Sequence, residues 1–197
     1  LPEMLLTVYR PGVAVRPKRG LRVLGKLYKP YFNHGSWDMR HENLYIPAEE
    51  DSGRPALVRS GNIFHFSFPV FAGYFKDAPV AYRTLLGNCL VKAIPSPVLR
   101  VDGMPSFGRA TVMRKGKKRM VHLLSYVPEL RGEKIQVIEE PVSVRDVNLS
   151  LRTDGRKVKK IYHAPSMSIL NWHVDKGRVD VVVPEVNGYS LVVFEFA

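Results

Sequence analysis

Cysteine is almost absent from this chain, whose 197 residues include only Cys89. A single thiol cannot form a disulfide framework or a thiolate metal site within the chain, and it leaves the redox compartment open. Cys89 lies in the apolar stretch 85–94, without the glycine-flanked turn that exposes a nucleophile. We therefore interpret it as a packing residue of a helix and not as a catalytic group.

Long apolar runs are missing as well. The longest candidate, residues 62–74, is interrupted by His65, Ser67 and Pro69, and it falls short of the ~20 apolar residues that span a bilayer. We expect a soluble chain with no membrane partner. The chain starts at Leu1 and shows no leader with a charged region, an apolar region and a cleavage site, so we expect a piece of a longer protein.

Acidic residues are few relative to basic ones. The chain has 18 Asp and Glu and 30 Lys and Arg, which gives a formal net charge of +12. Two basic runs, 114–119 (RKGKKR) and 156–160 (RKVKK), coincide with glycine-bearing turns between strand-like segments. The sequence has no basic strand interleaved with aromatic residues, no recognition-helix pattern and no zinc spacing. We interpret the runs as solvated hairpin tips and expect no nucleic-acid partner.

The hydrophobic pattern changes near residue 100. Before it, three short apolar segments predict strands: 13–16, 56–58 and 63–71. Helical spacing predicts one helix over 21–28 and a second over 85–94, which ends at Pro95. In the second helix, five apolar positions are assigned to one side: Leu85, Leu86, Leu90, Val91 and Ile94. Mixed strands and helices predict an α/β domain over 1–103.

After residue 103 the pattern is one of short strands separated by turn residues. Seven segments are extended: 110–113, 120–127, 142–151, 158–163, 169–174, 179–183 and 189–196. In 142–151, Val147, Leu149 and Leu151 alternate with polar residues, which is typical of a half-buried strand. The sequence therefore predicts an antiparallel, immunoglobulin-like β-sandwich over 104–197.

The predicted α/β domain is too small to cover both faces of an open sheet, since only about three strands and two helices are visible in it. Either its sheet packs on the second domain or on a partner, or strands preceding residue 1 are missing. We favour the second alternative.

Several sequence segments resemble one family in combination. They are 30–33 (PYFN) with His41 further on, 60–63 (SGNI) leading into 68–71 (FPVF), 121–129 (VHLLSYVPE), 138–140 (IEE), 183–189 (VPEVNGY) and 192–195 (VVFE). Together they make the chain similar to the C-terminal region of bacterial glycoside hydrolases related to trimeric β-galactosidases and α-fucosidase-like enzymes. The resemblance extends from about Val13 to Phe196 and does not include the catalytic barrel of that family.

The resemblance implies a fold and a role for each half. Residues 1–103 would be a partial, flavodoxin-like or amidotransferase-like α/β domain of the trimerisation type, and 104–197 a structural β-sandwich. The implied partners are further copies of the chain in a homo-oligomer such as a trimer, the catalytic barrel of the same protein, and a carbohydrate substrate. No cofactor is implied.

The polar stretch 33–41 is the segment in which we expect a ligand contact. Its candidate ligand-binding residues are Asn33, His34, Trp37 and His41, because long irregular loops often carry function and Trp37 can stack on a sugar. His34, Asp38 and His41 would share one face of a helix, which is a metal-ligand spacing. Gly35 and Ser36 argue against a regular helix there, so we expect no metal.

No catalytic residue is expected in the chain itself. Glycoside hydrolysis needs two carboxyl groups that face one sugar ring, whereas adjacent Glu139 and Glu140 on an extended segment point to opposite faces. We interpret His65 and His122 as histidines with ordinary structural hydrogen bonds.

The sequence therefore favours a non-catalytic accessory and oligomerisation region of a glycoside hydrolase. The alternative is an independent carbohydrate-binding module that uses the basic loops. An enzyme complete in these residues is the third and least favoured hypothesis.

Overall fold

The computed structural model describes residues 5–29 and 50–197. The chain forms two compact units, Leu1–Pro95 and Ser96–Ala197. Their boundary lies ahead of the one suggested at 103, because residues Leu99–Asp102 form a strand that pairs within the second unit. None of the helices in the described ranges has the length and apolar character needed to cross a membrane.

The described part of the first unit contains a three-stranded antiparallel sheet and two helices. Its elements are β1 (Arg22–Tyr28), β2 (Asp51–Ser60), β3 (Ile63–Phe66), α1 (Val70–Asp77) and α2 (Val80–Ala93). The strands are ordered β1-β2-β3, and each neighbouring pair is antiparallel. The parallel sheet of a flavodoxin-like or amidotransferase-like domain is therefore not confirmed by these strands.

The helix predicted over 21–28 is wrong, since these residues form β1. Leu21, Leu24 and Tyr28 fit a helical repeat, but β1 pairs with β2 from Arg22 opposite Arg59 onward. The register shifts on either side of Gly25, a residue that disfavours a helix interior and is common at bulges. Pairing with a long neighbouring strand thus overrides a short helical pattern.

The strands predicted around the turn at 60–62 are confirmed as β2 and β3, but the second one ends earlier than expected. Residues 63–71 were predicted as one strand, whereas β3 stops at Phe66 and α1 begins at Val70. Pro69 precedes α1 as its N-cap residue, and proline is well suited to a helix start because its φ is fixed and it lacks an N–H. The helix predicted over 85–94 is confirmed within α2.

A small aromatic core holds the first unit together. Phe68, Val70 and Tyr82 are almost completely buried, and the rings of Phe68 and Tyr82 lie 5.6 Å apart. The segment before β1 is tied to this core by two hydrogen bonds. The Tyr82 hydroxyl donates to the Thr7 carbonyl at 2.7 Å, and the Val13 amide donates to the Ser67 carbonyl at 2.7 Å.

The two helices meet at a glycine. A Cβ atom on Gly73 of α1 would lie 2.9 Å from Cε2 of Tyr82 on α2, which is closer than a carbon–carbon contact allows. Gly73 is therefore required for this helix pair to pack at its observed distance.

The second unit is an antiparallel β-sandwich. Its strands are β4 (Leu99–Asp102), β5 (Arg109–Lys115), β6 (Lys118–Leu124), β7 (Glu129–Leu130), β8 (Gln136–Val137), β9 (Ser143–Arg152), β10 (Val158–Ala164), β11 (Ser168–Ile169), β12 (Trp172–Asp175), β13 (Arg178–Asn187) and β14 (Tyr189–Phe196). One sheet has the order β11-β10-β14-β6-β5, and the other β12-β13-β9-β4. Strands β7 and β8 form a separate two-stranded ribbon.

The core of the second unit lies between the two larger sheets. The predicted alternation in β9 is confirmed, because Val147, Leu149 and Leu151 are at most 1% exposed while Asn148 faces solvent. The neighbouring strands contribute their own inward residues, which include Val121, Leu123, Ile161, Val179, Val183, Val192, Phe194 and Phe196. Branched side chains on two facing sheets fill such an interior at the usual spacing of ~10 Å.

An ion-pair cluster closes one end of the sandwich. Arg119 is 7% exposed and donates to the Arg152 carbonyl and to the Asp154 carboxylate, which also accepts from Arg152. These hydrogen bonds lower the pKa of Asp154 from its ordinary value of 3.8 to about 2, and the bond from Arg119 has the largest effect. The Asp154 carboxylate therefore balances the positive charge of the nearly buried Arg119 guanidinium.

Phe194 gives a direct test of the sandwich core. Replacing this fully buried residue by Ala removes apolar contacts and leaves a cavity. We expect the opening free energy of β9, β13 and β14, measured by native-state amide hydrogen exchange, to fall by about 3–5 kcal/mol. Val182→Ala, at a position on β13 that is 47% exposed, is the control and should change it by less than about 1 kcal/mol. Equal effects of the two variants would contradict the assigned core.

Asp154 gives a test by pH. Its pKa is lowered in the folded state, so its stabilising contribution is complete above pH ~4–5 and is lost as the pH falls towards ~2. The difference in thermal midpoint between the wild type and Asp154→Asn should therefore be largest at neutral pH and disappear near pH 2. A difference that does not change with pH would show that the carboxylate charge is not what stabilises the cluster.

Candidate functional site

The predicted ligand-binding residues lie outside the described part of the chain. Asn33, His34, Trp37 and His41 all fall within residues 30–49, for which no structure is described. Their assignment remains a prediction from the sequence.

Several carboxylates are engaged by basic side chains. Lys26 donates to Asp51 at 2.8 Å, and this bond together with the Gly53 amide lowers the pKa of Asp51. Arg131 donates to Glu139 at 2.8 Å, so one member of the adjacent glutamate pair forms an exposed ion pair. A general acid in glycoside hydrolysis needs a raised carboxyl pKa, which is the opposite of what Asp51 and Asp154 show.

Two histidines of the sandwich form hydrogen bonds with neighbouring hydroxyl groups. His122 Nδ1 lies 2.8 Å from the Tyr189 hydroxyl, and His163 Nε2 lies 2.8 Å from the Ser190 hydroxyl. The second ring nitrogen of His122 is buried and has no hydrogen-bond partner among the described residues. Across those residues, no three His, Cys, Asp or Glu side chains are grouped closely enough to bind a metal ion.

An open cleft of about 260 Å³ lies in the first unit, and its exposed lining is mainly apolar. It is lined by Val15, Arg16, Pro17, Leu21, Val58, Ser60, Ile63 and His65. His65 on β3 is exposed and lies opposite Val58 on β2. The volume is below the usual range of small-molecule sites, so the cleft is not the candidate site.

Cys89 is a buried residue of α2, only 8% exposed. Its burial raises the pKa of the thiol, although Lys92 and Arg59 oppose the effect. A raised pKa disfavours the thiolate that nucleophilic catalysis and metal binding require. Its position agrees with a packing role.

Helix α2 has apolar residues on two opposite faces. Tyr82 and Cys89 lie seven residues apart on the buried face. Val80, Val91 and Ile94 recur at helical spacing on the other side and are 64%, 71% and 55% exposed. The five apolar positions predicted for one side differ in environment, because Leu86 packs against the aromatic core whereas Leu90, Val91 and Ile94 are exposed.

Helix α1 exposes two large aromatic side chains. Phe71 and Phe75 are four residues apart, so they lie on one face of the helix, and they are 71% and 93% exposed. The other side of α1 packs inward through Val70 and Gly73. Phenylalanine side chains are usually buried in folded proteins, so one that is nearly fully exposed is uncommon.

These residues form the candidate functional site, which we call the apolar helix surface. It consists of Phe71 and Phe75 on α1, Val80, Leu90 and Val91 on α2, and Ile94 at its C-cap. Scattered exposed apolar residues are common, whereas here they recur on one face of each helix. The sequence signal was Val80, which recurs at helical spacing with Val91 and Ile94 but precedes the predicted helix at 85–94.

A solved structure shares the fold of nearly the whole chain. It is α-L-fucosidase isoenzyme 2 from Paenibacillus thiaminolyticus, which matches with a TM-score of 0.77 and 23% sequence identity over 90% of this chain. The matched part is 27% of the fucosidase chain, so the present chain spans about a quarter of its length. The likeness establishes the fold, including the β-sandwich.

A second solved structure matches more loosely. It is a cycloisomaltooligosaccharide glucanotransferase from Paenibacillus sp. bound to cycloisomaltoheptaose, with a TM-score of 0.39 and 13% identity. The overlay covers 49% of this chain and 16% of that one, and it is too distant to indicate a shared fold. No family model matches the chain, and no curated protein sequence does.

Proposed function

We propose that this chain is a non-catalytic accessory region of a larger carbohydrate-active enzyme and that its first unit mediates self-association. In this proposal the catalytic barrel and its carbohydrate substrate site belong to a part of the protein outside these residues. The second unit is a structural sandwich. The associated copies form a homo-oligomer, for which a trimer is the arrangement that the sequence resemblance implies.

The observation that carries the accessory role is the extent of the fold likeness. It covers 90% of this chain but 27% of the fucosidase chain, which fits one part of a larger enzyme. The motifs that resemble C-terminal regions of glycoside hydrolases extend from about Val13 to Phe196. Asp51 and Asp154 are hydrogen-bonded to basic side chains, which lower their pKa values. These two residues support a non-catalytic role, because a carboxyl group with a lowered pKa is a poor proton donor at neutral pH.

Self-association is supported by the apolar helix surface. Fully burying a Leu, Val, Ile or Phe side chain is worth about 1.5–3 kcal/mol, and six such side chains are at least 55% exposed here. The apolar face of a helix is normally buried against another element. The aromatic core of the first unit covers only one face of α2, so a second copy of the chain is the proposed cover for the other.

The alternative of an independent carbohydrate-binding module makes a different prediction. Such a module would be monomeric and would leave α1 and α2 exposed to solvent. The mass of the chain in solution therefore separates the two proposals.

Catalytic activity gives the first test. The purified chain should not hydrolyse nitrophenyl β-galactoside or α-fucoside above the rate of a buffer blank, because the proposed catalytic groups lie outside it. Turnover by the chain that is abolished by a carboxylate substitution within it would overturn the accessory role.

The interface gives the second test, through Val91→Asp. The substitution places a charge on the apolar helix surface, and Val and Asp have similar helix propensities, so α2 itself should persist. We expect sedimentation velocity to show an oligomer for the wild type and a 22.3 kDa monomer for the variant, with unchanged circular dichroism.

The matched control for Val91→Asp is Asn88→Asp. Asn88 is exposed on the same helix three residues before Val91, at the edge of the apolar helix surface, so the control introduces the same side chain where the native residue is already polar. It should sediment like the wild type. Dissociation by both variants, or by neither, would contradict the proposed location of the interface.

A further inference from the structure

The two basic runs of the sequence meet at one end of the sandwich. Strand β14 lies between β6 and β10 in the sheet, and its last residues are bonded on both sides. The Phe196 amide donates to the Lys117 carbonyl at 3.0 Å, and the Ala197 amide donates to the Lys157 carbonyl at 2.9 Å. Residues 114–119 and 156–160 thus flank the same strand end, and we call them together the basic end.

The basic end has far more positive than negative charge. It contains nine of the 30 Lys and Arg residues of the chain, whereas the two acidic side chains paired with it are Asp154 and Glu195. Asp154 is bonded to Arg119, and Glu195 lies 3.5 Å from Lys118. Nine cations facing two carboxylates leave an excess of seven positive charges.

Most of this excess is exposed to solvent and unpaired. Five cations of the basic end are exposed and form no ion pair with any side chain of the described ranges: Arg114, Lys115, Lys117, Lys157 and Lys159. Elsewhere, exposed lysines such as Lys26 and Lys29 are paired with carboxylates. Other exposed cations, such as Lys18 and Lys134, also form no ion pair within the described ranges, so the basic end is distinguished by having five of them on two turns that flank one strand end.

Neighbouring cations also repel one another at the basic end. The pKa of Arg156 is lowered, first by desolvation and then by the charges of Arg119 and Arg114, which Asp154 offsets only in part. An anion bound beside Arg156 would relieve this repulsion. The end of the sheet therefore favours a ligand with several negative charges spaced along its length.

The aromatic rings of the basic end are covered by its own cations. Arg156 lies over the ring of Phe196 at 4.6 Å and Lys160 over Tyr162 at 5.1 Å, and both rings are less than 10% exposed. Readers of single-stranded nucleic acid stack bases on exposed rings, and neither of these rings offers such a platform. Recognition here must depend on charge.

We propose that the basic end binds an acidic polysaccharide, whose carboxylate or sulfate groups pair with the exposed cations of 114–119 and 156–160. The choice of a polysaccharide over other polyanions rests on the proposed function in a carbohydrate-active enzyme. The surface itself is independent of the apolar helix surface, because the two lie on different units of the chain. The second unit would thus hold the enzyme on a charged glycan.

The test is isothermal titration calorimetry of the full chain with polygalacturonate, heparin, neutral dextran and duplex DNA. We expect binding of an acidic polysaccharide that weakens as salt is raised, because pairing with a polyanion releases condensed counterions. Polygalacturonate and heparin distinguish carboxylate from sulfate recognition. Dextran should not bind, and DNA should bind more weakly than the preferred polysaccharide.

The variant pair assigns any binding to the basic end. Lys117→Glu with Lys157→Glu should weaken polysaccharide binding at least about tenfold and reduce its salt dependence. The control, Lys18→Glu with Lys134→Glu, makes the same change in net charge at exposed positions outside the basic end and should retain wild-type affinity. Both double variants should keep the thermal midpoint and oligomeric mass of the wild type.

Three results would overturn the proposal. They are the absence of polysaccharide binding at low salt, equal weakening by the two double variants, and tighter binding of duplex DNA than of either acidic polysaccharide. None of them affects the proposed self-association, because its readout is the mass of the chain and its variants are on α2. Loss of the oligomer in Val91→Asp with polysaccharide binding intact would separate the two functions directly.

Discussion

Helix α2 has apolar residues on two opposite faces, and the described part of the first unit covers only one of them. Tyr82 and Cys89 are buried on one side, while Val80 and Val91 remain largely exposed on the other. Apolar surface in water is unfavourable in proportion to its area. The small three-stranded sheet leaves one face of α2 uncovered, and α1 adds exposed phenylalanines beside it in the sequence. The proposed self-association would bury this apolar surface against a second copy of the chain.

The second unit has a much larger buried core than the first, and this difference in packing corresponds to a proposed difference in role. Its two sheets bury a continuous set of branched and aromatic side chains, and its positive charge is gathered at the basic end. Pairing of β14 with both β6 and β10 brings together two basic runs that are about forty residues apart in the sequence. Association through apolar contacts in one unit and recognition of anions in the other are thus separable properties of one chain.

The sequence predicted the sandwich well because strands such as β9 alternate strictly between polar and apolar residues, and alternation has no other common explanation. It failed at β1, where Leu21, Leu24 and Tyr28 also fit a helix and only pairing with β2 decides between the two. It missed α1 because residues 63–71 form one apolar run in which only Pro69 marks the change of structure. Periodicity also cannot tell which of two apolar helix faces is covered, and burial had to show that for α2.

The candidate site was predictable only in part. The sequence pointed to Asn33, Trp37 and neighbouring residues through their chemistry, and these positions lie outside the described residues. The basic runs were visible in the sequence, but their meeting at one strand end depends on sheet order.

The most direct test of the account is light scattering of the unmodified chain over a dilution series at low and high salt. We expect a discrete multiple of 22.3 kDa that persists at high salt, because apolar contacts are not screened. A mass of 22.3 kDa at every concentration, or an oligomer that dissociates as salt is raised, would contradict it.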